Sequence, residues 1–250
     1  ERLELMAARS DERDSKSKTR VLKGTRLDLT LAAERVFATK GLQGATLREI
    51  REYAGQKNES VIHYHFGSRE AIVESVLQLR SIPLDARRSE MLKQAHAEGD
   101  GLTLSAEQVA RCCLMPLAEH LLDNAGTPGH YMRFLVQLRV DREIWRQFQG
   151  RYGLGLDECL AALHLSKPYT PPEIINQRFV SVVDIQLNGL AALEQIQHIK
   201  GPEFSHADAW ARIEDLITLS ASMIDAPLSP AALAAILSSK DRASRDEKGG

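Results

Sequence analysis

The residues of this 250-residue chain whose chemistry is easiest to name lie between Thr46 and Ala71. Lys57, Asn58, Ser60, His63 and Tyr64 bring an ammonium, an amide, a hydroxyl, an imidazole and a phenol into one short stretch, with Arg48 and Arg69 on either side. These groups serve phosphates and base edges: lysine pairs with guanine, asparagine with adenine, and hydroxyls and guanidinium groups with phosphate oxygens. Catalytic arrangements are weaker. His63 and His65 are two residues apart, which sends them to different sides of a helix, and no Cys-x-x-Cys or His-Glu-x-x-His spacing accompanies them. Cys112 or Cys159 with His120 or His164 would give a nucleophile and a base, yet neither cysteine sits on a glycine elbow. Without a phosphate loop or dinucleotide fingerprint either, the expectation is a protein that is not an enzyme and holds no metal or cofactor.

The elements that would present those side chains are legible nearby. Thr46 and Glu49 stand in the capping-box relation, so a helix begins there with Leu47, Ile50 and Ala54 as its apolar face, and Gly55 can take the positive φ that ends it. Asn58 or Ser60 then caps a second short helix with Val61 and Ile62 turned inward. Ser68 caps a third through Ile72, Val73, Val76 and Leu77, and upstream Leu27, Leu31, Val36 and Phe37 make the stripe of a helix closed by Lys40 and Gly41. Two short helices joined by a tight turn are a helix-turn-helix, whose second helix enters the major groove.

Beyond residue 80 helical patterns follow one another with almost no strand alternation. Ser105 starts a helix through Leu122 with Pro116 as a kink point, Pro128 one reaching toward Trp145 and Phe148, and Asp157 to Leu165 a shorter one. Thr170-Pro171-Pro172-Glu173 reads as a threonine cap with Pro171 at the first helical position, opening a helix over about 171 to 197. Ser205 with Asp208 opens another over about 206 to 225, and Ser229-Pro230 a last short one. The fold class is therefore all-α.

Composition is consistent with a nucleic-acid contact confined to one end. The formal net charge is −2, but residues 1–80 carry 15 Lys and Arg against 12 Asp and Glu, and the remainder is acidic. Arg13, Lys16, Lys18, Arg20, Lys23 and Arg26 lie in a polar stretch that reads as a loosely ordered arm, either following the DNA backbone or serving as a solubilising tail. Three cysteines, two of them adjacent, argue for free thiols. No segment approaches the roughly 18 consecutive apolar residues of a membrane span and no signal-peptide pattern opens the sequence, so a cytoplasmic location away from membranes is expected.

Ala33, Phe37 and Gly41, the run Ala45-Thr46-Leu47-Arg48-Glu49-Ile50, Ala54-Gly55, and Tyr64-His65-Phe66-Gly67-Ser68-Arg69-Glu70-Ala71 together resemble the N-terminal domain of the TetR family of transcriptional regulators over about residues 24 to 80. Gly55 to Phe66 is one residue longer than the commonest family spacing; Glu59 and Ser60 replace a small residue, and His63 a tyrosine. The resemblance implies an arm over 1–23, a DNA-binding domain over 24–70, a helical ligand-binding and dimerisation domain over 71–240, and a disordered tail over 241–250. It implies phosphate contacts from Tyr64 and Arg69 with Thr46 and Arg48 entering from the preceding helix, and base contacts from Lys57, Asn58, Ser60 and His63; His65 and Phe66 pack.

Its wider implication is a homodimer on double-stranded DNA with an inverted-repeat operator, a repressor released by a small, mostly apolar effector. The dimer contact would come from Phe179, Val183, Leu187, Leu190, Trp210, Ile213 and Ile217, and the effector pocket from Met91, Cys113, Met115, His120, Tyr131, Phe134, Leu138, Trp145 and His164. The alternative is a helical DNA-binding or protein-interaction module without a small-molecule effector.

Overall fold

The computed structural model describes residues 23–99, 103–123, 129–232 and 234–235, and these form helices joined by short connections, with no strand among them. The arm over 1–22, Pro128 and the tail beyond 235 lie outside the described residues.

Helix α1 (Thr25–Gly44) buries Leu29, Ala32, Ala33, Val36 and Phe37. Leu31, expected in that stripe, is exposed, and Leu27 only half-buried. At about 100° per residue Leu31 stands roughly 200° round the helix from Leu29, and Leu29 sets the buried face. At Gly41 (φ 75°) the backbone leaves helical geometry, and one further turn follows. Helix α2 (Leu47–Tyr53) has the full capping box: the Thr46 hydroxyl accepts from Glu49 N at 3.2 Å and the Glu49 carboxylate from Thr46 N at 3.1 Å. Leu47 is exposed; as the first helical residue it lies at the edge of a core that Ile50 fills from the next turn.

Helix α3 (Val61–His65) is short, and α4 (Arg69–Glu98) begins at Ser68, whose Oγ accepts from Ala71 N at 3.1 Å. Ile72, Val73, Val76 and Leu77 close the helix-turn-helix core against α1. The same helix then continues unbroken past Pro83 into the rest of the molecule, so residue 70 falls within its first turn.

The larger helical region comprises α5 (Ala106–Asp123), α6 (Tyr131–Val140), α7 (Arg142–Arg146), α8 (Leu154–Ser166), α9 (Pro172–Lys200) and α10 (His206–Asp225). Ser105 caps α5 reciprocally with Gln108. The helix expected to run on toward Trp145 is broken at Asp141, whose Oδ1 accepts from Ile144 N at 3.1 Å and starts α7. Thr170 does not cap α9: Pro172 pushes Pro171 into extended geometry (φ −53°, ψ 132°), so the helix cannot begin until Pro172. Helix α10 starts as expected, with Ser205 Oγ accepting from Asp208 N at 3.2 Å.

Helices α5, α9 and α10 pack together, α4 and α8 cover α5, and α6 lies between α9 and α1. Both ends of α6 are anchored from outside. Glu194 of α9, itself buried, accepts from Met132 N and Arg133 N at 3.1 Å, supplying the N-terminal cap that His130 does not. Among the described residues no helix is long and apolar enough to cross a membrane.

Candidate nucleic-acid interface and internal cavity

The turn between α2 and α3 follows from its hydrogen bonds. Gly55 (φ 67°) donates to Glu52 O at 3.0 Å and Gln56 N to Arg51 O at 3.0 Å, the paired closure of a Schellman motif. The extra residue of this turn is taken up before α3: Asn58 Oδ1 accepts from Ser60 N at 3.0 Å, a local turn that delays the helix to Val61. Val61 and Ile62 are buried as expected, which leaves Lys57, Asn58, Ser60, His63 and Tyr64 exposed on one surface. Tyr64 is 83% exposed, unusual for a residue this large and apolar. Its ring stands edge-on to His65 at 5.0 Å between centroids.

Glu59, a carboxylate beside a candidate phosphate contact, lies 3.4 Å from the Arg51 guanidinium, so its charge is partly neutralised from α2. Arg48 is exposed and pairs with Glu52 at 2.7 Å along α2, a solvent-facing link that leaves it reachable by phosphate. Two of the expected contacts are engaged internally. The Arg69 guanidinium donates to Leu42 O and, at 2.7 Å, to Ala45 O, tying the start of α4 to the α1–α2 connection. The Thr46 hydroxyl also lies 2.9 Å from Glu49 Oε2 within its capping box. Glu49 is shared with Lys40, and that ion pair with the cap holds its carboxyl down at about 2. His65 and Phe66 are half-buried; Arg26 donates to His65 O and stacks 4.6 Å from the centre of the Phe66 ring.

A mostly apolar cavity of about 70 Å³ lies between α4, α5, α6, α8 and α9. Of the nine residues expected around an effector, Cys113, Tyr131 and Trp145 line it. Phe134 and Leu138 are fully buried but do not line it; Phe134 meets Phe37 of α1 at 6.2 Å between centroids. His120 borders a separate crevice between α4 and α5, Met91 and Met115 pack at the core margin, and His164 bonds Asn176 at 2.8 Å. Unforeseen lining comes from Leu77, Ser81, Leu84, Asp85 and Arg88 of α4, and from Val183, Gln186 and Leu187 of α9.

The cavity's polar groups are largely satisfied among themselves. Arg88 donates to Asp85 at 2.9 Å and Cys113 O at 3.2 Å, Asp85 also accepts from Gly153 N at 2.9 Å, and the Ser81 and Tyr131 hydroxyls are 2.8 Å apart. Burial raises the Tyr131 phenol, so it stays protonated. Cys112, Cys113 and Cys159 are free and buried; burial pushes Cys112 up to about 12, and Cys159 is raised by its contact with Cys113 as well as by burial. Such thiols are poor nucleophiles.

Five of the seven residues expected at a dimer contact are instead core of the single chain: Phe179, Leu187, Leu190, Ile213 and Ile217 are buried against α5, α8 and one another's helices. Val183 is half-buried at the cavity, and Trp210 alone is exposed. The apolar residues that α9 and α10 do present outward are Val180, Ile185, Ile199, Trp210 and Leu219.

Residues 29–76 match the family model described as bacterial regulatory proteins, tetR family. No curated protein matches the chain. Among solved structures, one protein described under the control of antibiotic production by bacterial hormones is 18% identical, with 78% of this chain and 95% of that chain covered and a TM-score of 0.42. Another, described as a transcriptional regulator from Streptomyces coelicolor, is 19% identical, with 82% and 100% covered and a TM-score of 0.43. The matched segment coincides with α1 through the first turns of α4, where the capping box, the Schellman turn and the exposed reading surface lie. Residues 29–76 of the chain thus carry a helix-turn-helix domain that matches the N-terminal, DNA-binding domain of the TetR family.

Proposed function

We propose that the protein is a sequence-specific repressor that binds an inverted repeat as a homodimer and is released by a small molecule bound in its larger helical region. The observation that carries the reading is the exposed polar surface formed by Lys57, Asn58 and Ser60 of the turn with His63 and Tyr64 of the reading helix, whose approach is fixed by a capped helix and a closed turn. Tyr64 and Arg48 serve phosphates; Lys57, Ser60 and His63 read base edges; Asn58, its oxygen engaged in the turn, offers its amide hydrogens. Arg69 acts at one remove, by holding the α1–α2 connection against α4.

Dimerisation is supported by need: a five-residue reading helix makes few contacts, while two on a two-fold axis reach half-sites roughly 34 to 36 Å apart. The outward residues Ile185, Ile199, Trp210 and Leu219 of α9 and α10 are the surface assigned to the partner. The effector site is the cavity beside α6, because that helix packs along α1 of the DNA-binding domain. A ligand that binds better when α6 is displaced would shift the reading helices off operator spacing, with a typical coupling of about 1–3 kcal/mol.

The test separates the assigned roles by fluorescence anisotropy on operator and scrambled duplexes. Tyr64→Ala should weaken binding to both by a similar factor, whereas Lys57→Ala or His63→Ala should narrow the gap between them. Unchanged discrimination in both base-edge variants, with discrimination lost in Tyr64→Ala, would reverse the assignment.

A further inference from the structure

Beside this cavity lies a more open groove of about 700 Å³ between α6, α7 and α9. The two are adjoining chambers: Arg139, Trp145 and Leu187 line both. Arg139 is held in this partition by Asp184 at 2.5 Å, with its guanidinium 5.7 Å from the centre of the Trp145 ring.

The chambers differ in chemistry. The groove is lined by three arginines, Arg139, Arg142 and Arg146, against a single acid, Asp184. Asp184 is spent on Arg139, and among the described residues Arg142 and Arg146 make no ion pair. The inner chamber is dominated by leucines, and its one carboxylate, Asp85, is neutralised by Arg88. A cavity of about 70 Å³ is under half the roughly 150 Å³ that holds a benzene ring, so it admits only the end of a larger molecule unless the partition shifts.

We propose that groove and cavity form one two-chamber site for an amphipathic carboxylate, its anionic head on Arg142 and Arg146 and its apolar chain passing the Arg139–Trp145 partition into the inner chamber. The inference rests on the reading of this region as effector-binding and adds the class of ligand. A carboxylate suits the groove because guanidinium groups bind it through paired, charge-assisted hydrogen bonds. The apolar chain suits the inner chamber because burying it removes methylene surface from water while the Arg88–Asp85 pair keeps its own partners. The site is also wired to the DNA-binding domain: Asp141, between α6 and α7, caps α7 with one oxygen and accepts from Gln43 Nε2 at 2.7 Å with the other.

Equilibrium dialysis of the full chain with radiolabelled decanoate tests the proposal, with butanoate, decan-1-ol and decyltrimethylammonium as competitors. The expected result is saturable decanoate binding, poor competition by butanoate and by the ammonium, and a loss of about tenfold in affinity in Arg142→Ala/Arg146→Ala, two exposed positions whose change leaves the core intact. No saturable binding, equal affinity in the double variant, or competition by butanoate or the ammonium as strong as by decanoate itself would overturn it. DNA binding by the unliganded protein, measured on the same preparation, keeps the two readings apart. A protein that holds operator and ignores decanoate defeats this inference alone; one that takes up decanoate and ignores DNA defeats the regulator reading alone.

Discussion

Arg69, expected to meet a phosphate, is bonded within the helix-turn-helix domain itself. Its guanidinium satisfies the carbonyls of Leu42 and Ala45, which end α1 and precede α2. Arg69→Ala should therefore cost stability, about 1–3 kcal/mol for two carbonyls deprived of a charged donor, seen as a lower midpoint in urea. The same variant at low temperature should bind DNA better than Tyr64→Ala does; a loss of DNA affinity equal to that of Tyr64→Ala with an unchanged midpoint would restore the phosphate role. Two half-buried histidines, His120 and His130, act through protonation. Burial lowers His120 to about 4 and His130 to about 3, and His130 Nδ1 lies 2.9 Å from an Arg133 nitrogen that can only donate. Both are neutral in the folded protein, whereas in the unfolded chain they take up protons below about 6.5, so their contribution is complete above that pH and declines as pH falls from 6.5 toward 4. The melting temperature should be flat from pH 8 to 7 and fall between 6.5 and 5, and His120→Gln/His130→Asn should flatten that fall. A melting temperature that rises on acidification through this window would contradict the assignment.

At the scale of elements, α6 joins the two halves by packing along α1. It is capped at its start by Glu194 of α9 and joined at its end, through Asp141, to Gln43 after the Gly41 break in α1. Glu194→Leu should destabilise by about 3–5 kcal/mol, because it strips two helix N–H groups and leaves Arg133 without its buried partner. Chemical denaturation would show this, and a change below about 1 kcal/mol would mean that water replaces the carboxylate. Gly41→Ala should also destabilise, by about 1–2 kcal/mol, since φ is 75° there and an added Cβ would stand 3.2 Å from Gln137 Oε1. A midpoint equal to wild type would show that the chain relaxes to helix at this position.

What the sequence makes legible follows the reach of each signal. Caps and turns are local, so the Thr46–Glu49 box, the Gly55 closure and the Ser68, Ser105 and Ser205 starts are readable from a few residues. The Thr170 cap fails because two prolines compete and the second overrides the first. Partners far apart in sequence are not readable at all: nothing near Tyr131 signals that Glu194 caps its helix, nor anything near Arg69 that it reaches back to Leu42. The same limit applies to the apolar residues of α9 and α10. Periodicity says that a leucine is covered, not whether the cover is the same chain or a second one, and Leu187, Leu190, Ile213 and Ile217 are covered within the protomer. Helix α4 reaches the cavity through Leu77 to Arg88, beyond the segment whose motif drew attention to its start.

At the scale of the whole molecule, the proposed two-fold symmetric reader is built on the segment at residues 29–76 that matches the TetR-family domain. Its charge distribution, with the basic excess in the first 80 residues and an overall net charge of −2, predicts affinity that falls with salt but keeps its sequence preference. The most direct measurement is selection of bound duplexes from a random pool by the purified full chain at two salt concentrations. The expected result is recovery of an inverted repeat with half-sites about one helical turn apart, enriched at both salts. Recovery of a single half-site, or of no enriched sequence once salt is raised, would contradict it.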